Sequence, residues 1–141
     1  MYELKIVRER RPGYGPAARI RDAAGIFEAF KAHFAPLDRE QFIVVPLDGK
    51  NQVLGFNVVS TGSLTATLVH PREVFKPAIL GNAAAIILVH HHPSGDPEPS
   101  DEDRAITSRL KQAGELLGIK VLDHVVIGDD RFVSLADRNL L

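Results

Sequence analysis

The chain has 141 residues, a net charge of −1, 45% hydrophobic and 25% charged residues, and no cysteine. This length allows one domain with a sizeable core but is short for two domains, and the absence of cysteine excludes disulfide bonds and thiolate metal ligands. No apolar run reaches the roughly 18 residues of a membrane helix and the N-terminus lacks a hydrophobic signal core, so we expect a cytoplasmic protein without membrane association.

The start of the chain is basic although the whole chain is nearly neutral. Its first 21 residues contain six Lys or Arg and two Glu, a balance of +4 that leaves −5 for the remainder. We predict a basic N-terminal arm or edge strand over residues 1–20 and a single domain over residues 21–141. Such an arm could contact nucleic acid or an acidic partner, although a solvated terminal segment is the commoner outcome.

The first predicted elements are a helix and a strand. Apolar residues at helical spacing follow Asp22, a candidate N-cap, and Pro36 ends this helix. Residues 40–47 predict a strand with apolar residues on both faces, which places it between two layers. Pro46 within this strand suggests a bulge or an edge position, because proline cannot donate to a neighbouring strand.

Turn residues at 48–51 predict a hairpin whose second strand covers residues 52–60. Residues 64–69 predict a further short strand. Pro71 suits the first position of a helix that runs to about residue 80, with Pro77 as a kink inside it.

Residues 86–89 form an unbroken apolar run that leads directly into three histidines. Such a run predicts a buried central strand. Because alternate side chains of a strand share a face, His90 and His92 should project to one side and His91 to the other. Two imidazole nitrogens can therefore converge on one metal ion.

A third candidate ligand lies in the sequence Ser100-x-x-Asp103, where a helical pattern begins. Ser100 is a predicted N-cap, and Asp103 resembles the acid of a capping box. A carboxylate has two oxygens, so Asp103 can cap the helix and still face the histidines. Three protein ligands leave the fourth position of a tetrahedral zinc ion open to water, which is typical of a catalytic site. Ser100 could also donate a hydrogen bond to a developing oxyanion.

The chain closes with a helix that ends at Gly118 and a hairpin over residues 121–135. Asp123 and His124 could hold the far nitrogen of a ligand histidine, although a purely structural Asp–His pair is the commoner arrangement. The mixture of helices and hairpins predicts a single α/β domain of the α+β type, a mixed sheet flanked by helices.

The spacing His-x-His, seven residues, Ser-x-x-Asp resembles the JAMM (MPN-type) metalloprotease signature. The longer string His-x-His-Pro-Ser-Gly-Asp-Pro resembles the RadC family, as do Pro71-Arg72-Glu73-Val74-Phe75 upstream and Leu122-Asp123-His124 downstream. The resemblance covers about residues 36–135 and departs at His91, where the family has Asn. It implies a cytidine-deaminase-like architecture, zinc as cofactor, Glu40 as general base and a peptide or protein substrate. Pattern alone would make Glu40 an exposed acid at a strand end.

Three alternatives to a zinc hydrolase remain open. The histidine tract could be a fortuitous surface turn. A structural zinc site would need a fourth protein ligand, for which the sequence offers no obvious candidate. The same fold could also serve as a non-catalytic metal-binding module or a binding module associated with DNA repair.

Overall fold

The computed structural model describes residues 1–3, 5, 7, 9, 19–62 and 68–141. Three helices and five strands lie within these residues. In chain order they are α1 (Ala23–Phe34), β1 (Gln41–Leu47), β2 (Asn57–Thr61), α2 (Pro71–Leu80), β3 (Ala85–His91), α3 (Asp101–Leu117), β4 (Lys120–Ile127) and β5 (Phe132–Ser134). Residues 64–67 of the predicted strand at 64–69 and most of the predicted basic arm lie outside the described residues; Leu68 and Val69, the end of that predicted strand, form a turn instead.

The five strands form one sheet in the order β2-β1-β3-β4-β5. The central strand β3 pairs antiparallel with β1 and parallel with β4, so the sheet is mixed. Every residue of β3 is buried, as expected for a strand with both faces covered. The predicted α+β architecture is therefore confirmed.

Helices cover the two faces of the sheet and create two hydrophobic cores. On one face, α1 packs Ile26 and Phe30 against side chains that include Val89. On the other, α2 and α3 pack Phe75 and Leu110 against side chains that include Leu88. Successive side chains of β3 point alternately into these two cores, so the histidines at its end must also point to opposite faces of the sheet. No helix in the described ranges is both long and apolar enough to cross a membrane.

Local capping explains where the helices begin and end. The Gly25 N–H donates to Asp22 Oδ1 over 2.9 Å, which caps α1 as predicted. A reciprocal capping box between Ser100 and Asp103 begins α3. Gly118 ends α3 in the left-handed region with φ of 72°, which glycine adopts without steric cost.

The expectation that Pro46 marks a bulge or an edge strand was wrong. It lies in β1, between β2 and β3, and the register irregularity of β1 falls between Phe42 and Ile43. The Pro46 carbonyl accepts a hydrogen bond from the Leu54 N–H over 2.9 Å. The N–H and C=O of a strand residue point to the same side of the strand. The side on which Pro46 lacks an N–H is therefore the side of Leu54, and the pairing of β1 with β3 loses no hydrogen bond.

Candidate metal centre

His90 and His92 leave the central strand on the face that packs against α3. The His92 N–H donates to Ile127 O over 2.9 Å, so the chain keeps its extended pairing one residue beyond β3. The alternation of side chains therefore continues through His92, and the Nε2 atoms of the two rings lie 3.0 Å apart. The structure thus brings together the two histidines that the sequence placed on one face.

Asp103 faces both histidines from the first turn of α3. Its Oδ1 lies 3.1 Å from His90 Nε2, and its Oδ2 lies 3.3 Å from His92 Nε2. The Ser100 N–H also donates to Oδ2, over 2.7 Å. Asp103 is only 4% exposed, and its carboxylate both caps the helix and faces the imidazoles.

The three side chains have the geometry of a metal site. One ligand atom from each of His90, His92 and Asp103 lies within 4.8 Å of the other two. Tetrahedral coordination at zinc distances would place neighbouring ligand atoms about 3.3 Å apart, close to the observed separations. This group could bind a metal ion, and the assignment of each residue as a ligand stays a prediction.

The hydrogen bond behind His92 decides which of its nitrogens can bind a metal. His92 Nδ1 lies 2.8 Å from the Asp96 carbonyl oxygen. A carbonyl can only accept, so Nδ1 carries the proton and the neutral ring has its lone pair on Nε2. The lone pair of His92 therefore points towards His90 and Asp103, as a metal ligand requires.

The pKa shifts of His92 and Asp103 indicate that these two side chains share a proton in the metal-free protein. The hydrogen bond with Asp103 raises the pKa of His92 against the opposing effect of burial, and the charge of Glu40 adds to the rise. Burial by itself would raise the pKa of Asp103, but hydrogen bonds with His90 and His92 outweigh it and hold that pKa well below its usual range. A divalent cation would take the place of this proton, so metal binding and protonation compete.

A cavity of about 330 Å³ opens beside these groups; Glu40, His92, Pro93, Ser94, Ser100, Glu102 and Asp103 line it. Glu40 is half-buried and immediately precedes β1. Ser100 accepts the Asp103 N–H at its Oγ over 3.1 Å, which leaves its O–H free to donate into the cavity. The cavity therefore holds a carboxylate and a hydroxyl next to the candidate metal ligands.

His124 and Asp123 lie next to each other on β4 but have different partners. His124 is fully buried, its Nε2 lies 2.7 Å from His90 Nδ1, and burial lowers its pKa well below the ordinary value. The Asp123 carboxylate instead accepts from the N–H groups of His124 and Ala136 and from the Ser134 hydroxyl. These bonds give Asp123 the structural role that is the commoner arrangement, and His124, not Asp123, contacts a candidate ligand histidine.

The loop between β3 and α3 is held against the β4–β5 turn. The Asp129 N–H donates to the Gly95 carbonyl over 3.3 Å, and a Cβ at Gly128 would overlap that carbonyl. Arg138 Nη1 lies 2.7 and 2.8 Å from the two carboxylate oxygens of Glu98. These contacts fix the loop whose Asp96 carbonyl orients His92, and sequence spacing gave no signal for them.

His91 lies on the opposite face of the sheet. Its ring stacks on Phe34 with centroids 4.8 Å apart and is 5% exposed. Neither ring nitrogen makes a hydrogen bond within the described part of the chain. Burial lowers the pKa of His91, and a backbone contact with Leu37 that falls short of hydrogen-bond geometry opposes this in part. This ring is therefore separated from the candidate metal centre by the strand itself.

Known proteins share this sequence pattern along most of the chain. A family model described as RadC-like JAB domain matches residues 20–140. A "UPF0758 protein" of Moorella thermoacetica is 59% identical over 121 residues, which are 86% of this chain and 52% of that protein. A protein of the same name from Syntrophotalea carbinolica is 47% identical over 144 residues, which cover 99% of this chain and 63% of that protein. A third, from Methanosarcina acetivorans, is 48% identical over 126 residues, which cover 89% of this chain and 55% of that protein. The chain thus spans between about half and two thirds of the length of these relatives.

Proposed function

Because the chain belongs to the RadC-like JAB-domain family, we propose that it is a zinc-dependent hydrolase that cleaves peptide or isopeptide bonds. The observation that carries this proposal is the convergence of His90, His92 and Asp103 within 4.8 Å of one another at the wall of a cavity that also holds Glu40 and Ser100. Three ligands and one open position are the arrangement of catalytic rather than structural zinc sites.

The donor set favours zinc among the common divalent ions. Imidazole suits zinc better than it suits magnesium or calcium, which prefer oxygen ligands. The described protein ligands number three and include no sulfur, which fits a catalytic ion with a free position. When bound, zinc would supply a Lewis acid that activates water and polarises a carbonyl group.

Two residues of the cavity would carry the proton transfer and charge stabilisation. The half-buried Glu40 would accept the proton of the attacking water and pass it to the leaving amine. The free O–H of Ser100 would donate to the oxygen of the cleaved carbonyl as negative charge develops on it. Donors in such positions are worth about 3 kcal/mol of transition-state stabilisation.

The test is to separate metal binding from hydrolysis with Glu40→Gln. Wild-type protein should contain close to one zinc per chain and cleave members of a peptide and isopeptide library. Glu40→Gln should keep the zinc and lose about 100- to 10,000-fold in rate, because an amide is no general base. Zinc content by mass spectrometry and initial rates provide the two measurements.

Asp38→Asn is the matched control, since it neutralises an exposed acid two residues away and should leave both quantities unchanged. Wild-type activity in Glu40→Gln would remove Glu40 from this role. Stoichiometric zinc in a wild-type protein that cleaves no library member would favour the alternative, a non-catalytic metal-binding or DNA-repair-associated module. Nucleic-acid contact through the basic arm stays a prediction.

A further inference from the structure

A row of buried hydrogen bonds runs behind His90, on the side away from the cavity. His90 Nδ1 lies 2.7 Å from His124 Nε2. His124 Nδ1 lies 2.5 Å from Thr107 Oγ1, and Thr107 Oγ1 lies 2.6 Å from the Asp103 carbonyl oxygen. All three side chains are at most 1% exposed, so water cannot take the place of any of these partners.

The direction of each bond follows from the chemistry of the last acceptor. The Asp103 carbonyl can only accept, so the single Thr107 hydroxyl proton must point to it. Thr107 Oγ1 therefore accepts from His124, which places a proton on His124 Nδ1.

The same reasoning continues along the row to His90. The His124 ring nitrogens contact a hydroxyl and an imidazole. Neither group carries a negative charge that would stabilise a buried imidazolium, so the ring is neutral. Its Nε2 is then a lone pair and can only accept, which requires a proton on His90 Nδ1. In the metal-bound state, in which a ligand imidazole is neutral, the lone pair of His90 consequently lies on Nε2, the atom that faces Asp103.

We propose that Thr107 and His124 are positioning residues that select the Nδ1–H tautomer of His90 and aim its Nε2 at the metal ion. The inference rests on the proposed function only in so far as the site binds a metal, and it is independent of catalysis. Neither residue touches the ion or the substrate; both act through His90. Their effect should therefore appear in metal affinity and in the tautomer of His90.

This row also ties two ligands together. Thr107 lies one helical turn after Asp103 and bonds its carbonyl, while the Asp103 side chain faces His90. The row thus begins at His90 on β3, passes through His124 on β4, and ends at the helical turn that carries Asp103. A shift of α3 along the sheet would therefore break this row of hydrogen bonds and, at the same time, move Asp103 away from His90.

The test compares Thr107→Val, which keeps the shape but removes the hydroxyl, with Thr107→Ser, which restores it. Zinc affinity, measured by competition with a chromophoric chelator, should fall roughly 10- to 100-fold in Thr107→Val. Thr107→Ser should return it to near the wild-type value. Ser108→Ala, on the exposed side of the same turn, should have no effect.

Nitrogen-15 NMR of the histidine rings in metal-free protein provides a readout that packing alone would not change. Wild-type His90 and His124 should both be protonated at Nδ1, whereas Thr107→Val should show a mixture of tautomers at both rings. A wild-type His90 ring that carries no proton on Nδ1 would overturn the proposal without any variant. So would a Thr107→Val protein with unchanged zinc affinity and unchanged tautomers. A wild-type protein that binds zinc and shows the expected tautomers but hydrolyses no substrate would count against the proposed function alone.

Discussion

Three consecutive histidines occupy three different environments because a strand exposes alternate side chains to opposite faces. His90 is fully buried with partners at both nitrogens. His92 faces the cavity and is oriented by the Asp96 carbonyl. His91 lies in the core on the α1 side, where it stacks on Phe34. The same residue type is thus a candidate ligand at two positions and a core residue at the third.

At the residue scale, His91→Phe should keep the metal and raise stability. Phenylalanine preserves the ring contact with Phe34 and removes two buried nitrogens that lack hydrogen bonds. An unsatisfied buried polar group costs about 1–3 kcal/mol, so we expect the free energy of unfolding in urea to increase by about 1 kcal/mol, less any strain from the larger ring.

Zinc stoichiometry is the second measurement on the same variant. It should be unchanged in His91→Phe, while His92→Phe, the matched change one residue on, should lose zinc. A folded His91→Phe protein without zinc would mean that the ligand set includes His91.

At the scale of elements, the loop between β3 and α3 depends on the β4–β5 turn for its position. It carries Asp96, whose carbonyl holds His92, and it contacts the turn at Gly95 and Gly128. The ion pair between Glu98 and Arg138 is exposed and adds little by itself. Close packing of the two glycines therefore contributes more to the loop position than charge does.

Gly128→Ala should weaken zinc binding by displacing this loop. The added Cβ would overlap the Gly95 carbonyl and crowd Pro97, and overpacking of this kind costs about 1–3 kcal/mol. We expect a lower melting temperature of the metal-free protein and a higher zinc dissociation constant. Gly49→Ala is the control, because a Cβ there meets no atom within 4 Å. Equal zinc affinity in the two variants would show that the loop position does not govern the site.

Local signals allowed the helices and the pair of strand histidines to be predicted. Asp22, Ser100 and Gly118 act through neighbours a few residues away, so their caps are visible in sequence. Thr107 could not be identified in this way, because it meets His124 only when α3 packs on β4. The contact between Gly95 and Gly128 is equally remote in sequence. Long-range contacts of this kind require the tertiary structure.

At the scale of the whole molecule, the candidate metal centre joins the sheet to one of its helix layers. His90 and His92 come from the central strand, and Asp103 comes from α3, which packs on one face. An ion held by all three would bind the folded chain and not the unfolded one. Metal binding should therefore add directly to the free energy of unfolding.

Zinc should consequently raise the melting temperature of the wild-type protein, and a chelator should reverse the rise. At a free zinc concentration 1,000 times the dissociation constant, the stabilisation is about 4 kcal/mol, or roughly 14 °C for a domain of this size. Asp103→Asn should lose most of this shift, because the amide keeps an oxygen for the Ser100 N–H but is a poor metal ligand. Asp101→Asn changes an exposed acid in the same turn and should keep it. Scanning calorimetry with and without zinc measures all three proteins; an equal shift in wild type and Asp103→Asn would show that the stabilising ion is not held by Asp103.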